Sequence, residues 1–133
     1  MSGIFFLDEA IVLMIHQDQI ERYGGSPDLR DSGLLSSALG VPRSSFDGEH
    51  LHVDLFDMGA AYMYHIIQNH PFVDGNKRTG TVSAIIFLNL NGADIDVSND
   101  LLEQMAFGVA SGEMSKDRLT EIFQQHATRL ELE

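Results

Sequence analysis

The sequence contains no cysteine. Disulfides and thiol chemistry are therefore excluded, and a reducing, cytoplasmic setting is the expectation. Basic residues are scarce: 8 Lys and Arg stand against 20 Asp and Glu, for a net charge of −12. Cationic side chains supply most non-specific affinity for nucleic acids, so direct nucleic-acid binding is not expected. The same deficit predicts repulsion from anionic surfaces, and an anionic nucleotide requires a local basic site. No apolar run is long enough to span a bilayer, so no membrane association is expected. The segment MSGIFFLDEA lacks a basic leader and meets acid after three large apolar residues, which makes it a poor secretory signal.

Hydrophobic residues make up 44% of the 133, enough for one core, and the expectation is a single domain over 1–133. No repeat or low-complexity segment interrupts it. Gly, Pro and Ser/Asp punctuation divides the chain into helical patterns. Asp8 suits the N-cap of a helix over about 9–22, with Ile11, Met14, Ile15 and Ile20 inward. Asp31 suits a short helix over about 33–39. Asp54 suits one over about 55–69, whose LFDMGAAYMYHIIQN is apolar on almost every side and predicts a central buried helix. A second such helix begins near Asn76 and stops at Gly92. Ser98 and Ser115 open two more, over about 99–110 and 116–130, the last with Leu119, Ile122, Phe123 and Leu130 inward. Strand signals are weak and confined to Gly3–Leu7 and the polar 42–52 segment, a loop or small hairpin. The predicted class is all-α, with two central helices joined by a loop.

That joining loop, HPFVDGNKRT over 70–79, concentrates the chemistry of the chain. An imidazole titrates near neutrality as a side-chain type, so His70 is suited to accept a proton from a hydroxyl; the plainer reading is a polar helix terminator. Phe72 is expected to plug the loop into the core. Asp74 is a hard oxygen donor suited to Mg²⁺, or simply a turn or capping residue. Gly75 permits a positive φ and close approach of a ligand. Asn76 can bond a phosphate oxygen or cap the following helix. Lys77 and Arg78 fall in that helix's first turn, where the macrodipole disfavours cations. A bound anion would remove this conflict, since phosphate between the free N–H groups and the two cations satisfies both.

Elsewhere the residues read as structural. His16, one position past the Ile11–Ile15 stripe, reads as a satisfied histidine. His50 and His52 form His-x-His without a third ligand nearby, and read as solvated. Met58, Met63, Met105 and Met114 are assigned to the core or its rim. Tyr62 and Tyr64 lie on different faces of the central helix. Arg30 is a candidate brace for the 24–31 loop.

HPFVDGNKRTG resembles the core motif of the Fic/Doc superfamily, His-x-Phe-x-Asp/Glu-Gly/Ala-Asn-Gly/Lys-Arg, and is most similar to the death-on-curing (Doc) toxin branch, where Lys follows the Asn. IHQDQIERYGGSPDLRD over 15–31, FLNLNG over 87–92 and GEMS over 112–115 also resemble Doc segments. The resemblance implies a compact helical Fic/Doc fold. It also implies His70 as general base, Asp74 as Mg²⁺ ligand, and Asn76, Lys77 and Arg78, with Gly75, as the ATP phosphate site. Phe72 becomes the buried anchor, and 42–52 a flap that positions the target polypeptide. Adenylylating Fic enzymes carry Gly where Lys77 stands and a second Arg where Thr81 stands. Without that Arg, ATP lacks the clamp for AMP transfer. Resemblance to the Doc branch implies, as the leading expectation, transfer of the ATP γ-phosphate to a threonine of translation elongation factor Tu, in a toxin restrained by a Phd-like antitoxin. Gln68 replaces a basic residue of the best-known Doc proteins and so removes a possible phosphate contact. Two further readings stand beside this one: a nucleotidyl transferase of the same fold, and a non-catalytic binding module.

Overall fold

The computed structural model describes residues 3–46, 49–50 and 54–130. Among these, six helices carry the fold: α1 (Glu9–Tyr23), α2 (Ser32–Gly40), α3 (Leu55–Asn69), α4 (Asn76–Leu90), α5 (Asn99–Ser111) and α6 (Lys116–Gln125). Two small antiparallel pairs accompany them: β1 (Ser45–Phe46) with β2 (Glu49–His50), and β3 (Ala93–Ile95) with β4 (Ala127–Leu130). The all-α expectation holds.

Five helices start where a short polar side chain accepts a backbone N–H of the first turn: Asp8, Asp31, Asp54, Ser98 and Ser115. These are the N-caps expected from the sequence, and each satisfies a donor that would otherwise lack a partner. Asp54 caps the central helix, its Oδ1 accepting from Asp57 N at 2.8 Å. Asp54→Ala is expected to lower stability by about 1 kcal/mol. A melting temperature equal to that of the parent would show that this cap contributes nothing.

α3 is the hub, packed against α4 above all and also against α6, α2 and α5. The approach of α4 requires a glycine: a Cβ on Gly80 would stand 3.0 Å from Ile67 Cγ1 and 3.1 Å from the Met63 carbonyl. Tyr62 and Phe87 face each other across this contact with ring centroids 4.9 Å apart, both fully buried. The Tyr62 hydroxyl accepts the Leu7 N–H at 2.8 Å, and burial pushes its pKa up to about 12. Met58, Met63 and Met105 are buried and Met114 packs on the rim, as expected.

Three expectations need correction. Met14 is not in the core but 72% exposed. The buried face of α1 is Val12, Ile15, His16, Gln19 and Ile20, and its two polar members concealed the true stripe. The last helix stops at Gln125 rather than near 130. His126 turns the chain, its Nδ1 donating to the Ile122 carbonyl, and Asp96 N donates to the His126 carbonyl. Residues 127–130 then pair with β3, a long-range partner that overrides the helical periodicity of the segment. Gly3–Leu7 forms no strand; Leu7 instead drops into the core. In the expected 42–52 flap, β1 and β2 form a small hairpin, while residues 47–48 and 51–52 lie outside the described residues. Among the described residues, no helix is long and apolar enough to cross a membrane.

Candidate active site

α3 ends at His70, whose backbone adopts φ 52°, ψ 54°. Among the described residues it is the sole non-glycine with positive φ. Such a conformation is sparsely populated by side-chain-bearing residues and persists where surroundings hold it. Pro71 then prevents continuation of the helix. Phe72 turns inward and is fully buried, stacked on His16 with ring centroids 3.7 Å apart and planes 8° apart. His16 Nε2 donates to the Asp74 carbonyl at 2.8 Å. One buried histidine on α1 thus carries both the aromatic ring of Phe72 and the backbone carbonyl of Asp74, the satisfied role expected of it.

Gly75 follows at φ 83° as the N-cap of α4, and no side chain caps that helix. A Cβ here would strain the backbone and stand 3.2 Å from Ile20 Cδ1. The first turn of α4 holds Lys77 and Arg78 and no acidic residue. The electrostatic conflict inferred from the sequence is therefore present in three dimensions: uncapped N–H groups and two cations share one helix end.

His70, Asp74, Gly75, Lys77 and Arg78 all line one cleft of about 1590 Å³. Gln19 and Tyr23 of α1, Glu103 and Phe107 of α5, and Glu113 just beyond α5 also line it. Lys77 is exposed. The Arg78 guanidinium lies 5.1 Å from the centre of the Tyr23 ring and donates to the Gly24 carbonyl at 3.3 Å. The Asp74 carboxylate accepts the Ser26 N–H on Oδ2 at 2.7 Å.

Asn76 lines the same cleft. Its side chain is buried, with Oδ1 accepting the Phe72 N–H and Nδ2 donating to the Phe72 carbonyl, both at 2.9 Å. The carboxamide is a clamp on the loop, with one hydrogen bond made by each of its polar atoms. Its backbone N–H, in the first turn of α4 that no side chain caps, is the group it offers most directly to an anion. Thr81 donates to the Lys77 carbonyl at 2.8 Å, so its hydroxyl is tied to its own helix. Gln68 does not line the cleft; its amide donates to the Val109 carbonyl at 2.6 Å. Tyr62 and Tyr64 do not line it either.

Sequence reasoning missed the extent to which the segment after α1 frames the loop. Gly24 O meets Arg78, Ser26 N meets Asp74, Asp28 O accepts from Val73 N at 3.0 Å, and Leu29 bridges Phe72. Arg30 N and Asp31 N both donate to the Pro71 carbonyl, at 2.7 and 3.0 Å. The Arg30 side chain donates to the carbonyls of His70 and Asn69. The available signal was the resemblance of 15–31, since a segment so polar gives no packing pattern of its own.

A fold of two central helices joined by an anion-ready loop, with an imidazole and a carboxylate on the same cleft, is that of the Fic/DOC family. The family's profile matches residues 6–88, and the chain belongs to this family. It is 35% identical over 104 residues to the protein kinase doc of Escherichia phage P1, covering 78% of this chain and 81% of that protein. It is 37% identical over 90 residues to the toxin Doc of Mycolicibacterium smegmatis, covering 63% of this chain and 69% of that protein.

Proposed function

We propose that this chain is a Doc-like toxin that transfers the γ-phosphate of ATP to a protein hydroxyl, a threonine of elongation factor Tu being the first target to test. The observation that carries the reading is that the uncapped α4 N-terminus, Lys77 and Arg78 line the same cleft as His70. The matched relatives bear the names protein kinase and toxin, in agreement with it.

Asp74 fits a metal that arrives with its nucleotide. It is a single exposed carboxylate, oriented by Ser26 N, and no group of three His, Cys, Asp or Glu among the described residues forms an all-protein cage. Mg²⁺ commonly keeps water and phosphate oxygens as ligands and needs few protein carboxylates. When bound there it would neutralise phosphate charge. The chain's own residues do the rest. His70 takes the proton as the hydroxyl oxygen bonds to the γ-phosphorus. The bond from that phosphorus to the bridging oxygen breaks, and ADP leaves. Lys77, Arg78 and the first N–H groups of α4 stabilise the charge on the transferring group.

Thr81 supports γ- over α-transfer, because a hydroxyl bonded to the Lys77 carbonyl offers no second cationic fork for the distal phosphates. ATP labelled at the γ- or the α-phosphate distinguishes the two: label retained on the target from the γ-position supports the kinase, and label from the α-position replaces it with a nucleotidyl transferase. Lys77→Gly is expected to lower γ-transfer roughly 10–100-fold through loss of one charge-assisted contact. Unchanged rate and donor group in that variant would refute the nucleotide orientation proposed here.

A toxin of this kind requires restraint, and a Phd-like antitoxin that folds on binding is the proposed partner. The apolar groove between α1 and α4, lined by Ile11, Met14, Ile15, Val82 and Ile86, offers an amphipathic segment a landing surface. The cytoplasm, where translation factors and ATP are found, is the proposed site of action.

A further inference from the structure

We infer that Arg30 is the positioning residue for His70, acting on its backbone rather than its imidazole; the inference rests on the proposed role of His70 as base. The Arg30 guanidinium donates from Nε to the His70 carbonyl at 2.7 Å and from Nη2 to the Asn69 carbonyl at 3.1 Å. Those two carbonyls belong to the two peptide planes that flank the His70 Cα. A single rigid, planar group therefore spans φ and ψ of the residue with the unusual backbone. The direction of the Cα–Cβ bond follows from those two angles, and with it the approach of the imidazole to the cleft.

The rest of the segment tightens the hold. Arg30 N and Asp31 N converge on the Pro71 carbonyl, so the Pro71–Phe72 peptide is also fixed. A left-handed residue at a helix end is usually glycine, because a Cβ is disfavoured there. Here the chemistry requires a side chain at that position, so the conformation must be held from outside. Arg30 meets that requirement from a different segment, forty residues away in sequence.

The simpler role for Arg30 is a C-terminal cap of α3, where any cation near the last carbonyls is favourable. Lysine keeps that charge but loses the fork, so Arg30→Lys separates capping from positioning. In the full chain, Arg30→Lys is expected to keep a melting temperature close to the parent's, while kcat for phosphoryl transfer falls about 10–100-fold, the scale of a small misplacement of a reacting group. KM for ATP should stay near the parent value, since Arg30 is not among the groups assigned to phosphate. The three-bond HN–Hα coupling of His70, which reports φ, should move from its parent value in Arg30→Lys and further in Arg30→Ala. A parent kcat in Arg30→Lys, or an unchanged His70 coupling in both variants, would overturn the inference. So would a fall in kcat matched by an equal loss of folded protein. If the parent chain transfers no phosphate, the proposed function fails, and the His70 coupling still decides whether Arg30 holds that backbone. If Arg30→Ala does not fold, Arg30→Lys carries the test.

Discussion

His70→Ala is expected to lower phosphoryl transfer by about 10²–10⁴-fold, the usual contribution of a positioned general base. The variant should fold normally. His70 is exposed at the end of α3, its backbone is held through its own carbonyl and N–H, and its side chain lines the cleft rather than the core. The loss should therefore fall on the chemical step, with melting temperature near the parent's. Intact-mass analysis of elongation factor Tu after incubation with ATP and Mg²⁺ reads it directly. A phosphoryl increment with the parent and none with His70→Ala is the expected pair. Equal increments from both would remove His70 from the mechanism. An adenylyl increment would keep the base and overturn the assigned donor group.

Phe72→Ala is expected to cost about 3–5 kcal/mol of stability, as for other deletions of a buried aromatic ring. Phe72 is fully buried in the core, stacked on His16, with both its backbone polar groups bonded to Asn76. Removing the ring leaves a cavity beneath the loop and a histidine without its stacking partner. For a chain of this size that loss corresponds to a drop in melting temperature of roughly 10–20 °C. Activity should fall as well, because the same ring seats the turn that carries Asp74 and Gly75. A variant with parent stability would show that the loop is held by its hydrogen bonds alone. Comparison of the two variants is informative in itself: His70→Ala should lose rate without stability, and Phe72→Ala should lose both.

Much of this protein is legible in its sequence because its determinants are local. The caps Asp8, Asp31, Asp54, Ser98 and Ser115 sit within three residues of the N–H groups they satisfy, so their spacing is visible along the chain. The apolar patterns of α3 and α4 mark them as central before any packing is known. The motif itself is contiguous, so His70, Asp74, Gly75, Lys77 and Arg78 could be read as one site, and the cleft does bring them together.

What only the tertiary structure decided is which group each of the following residues meets. The carboxamide of Asn76 closes on the backbone of Phe72 in a turn that the fold buries. Residues 127–130 left the helical pattern because β3 lay open beside them. His16 became a pillar, and Met14 a surface residue, only once α1 had packed against the loop. Arg30, one turn-rich segment among several on paper, reaches the two carbonyls that define the His70 backbone. The physical reason is common to all four. Local rules describe a residue's preference among its neighbours in sequence, whereas burial and hydrogen-bond satisfaction are settled by whichever group the fold brings alongside.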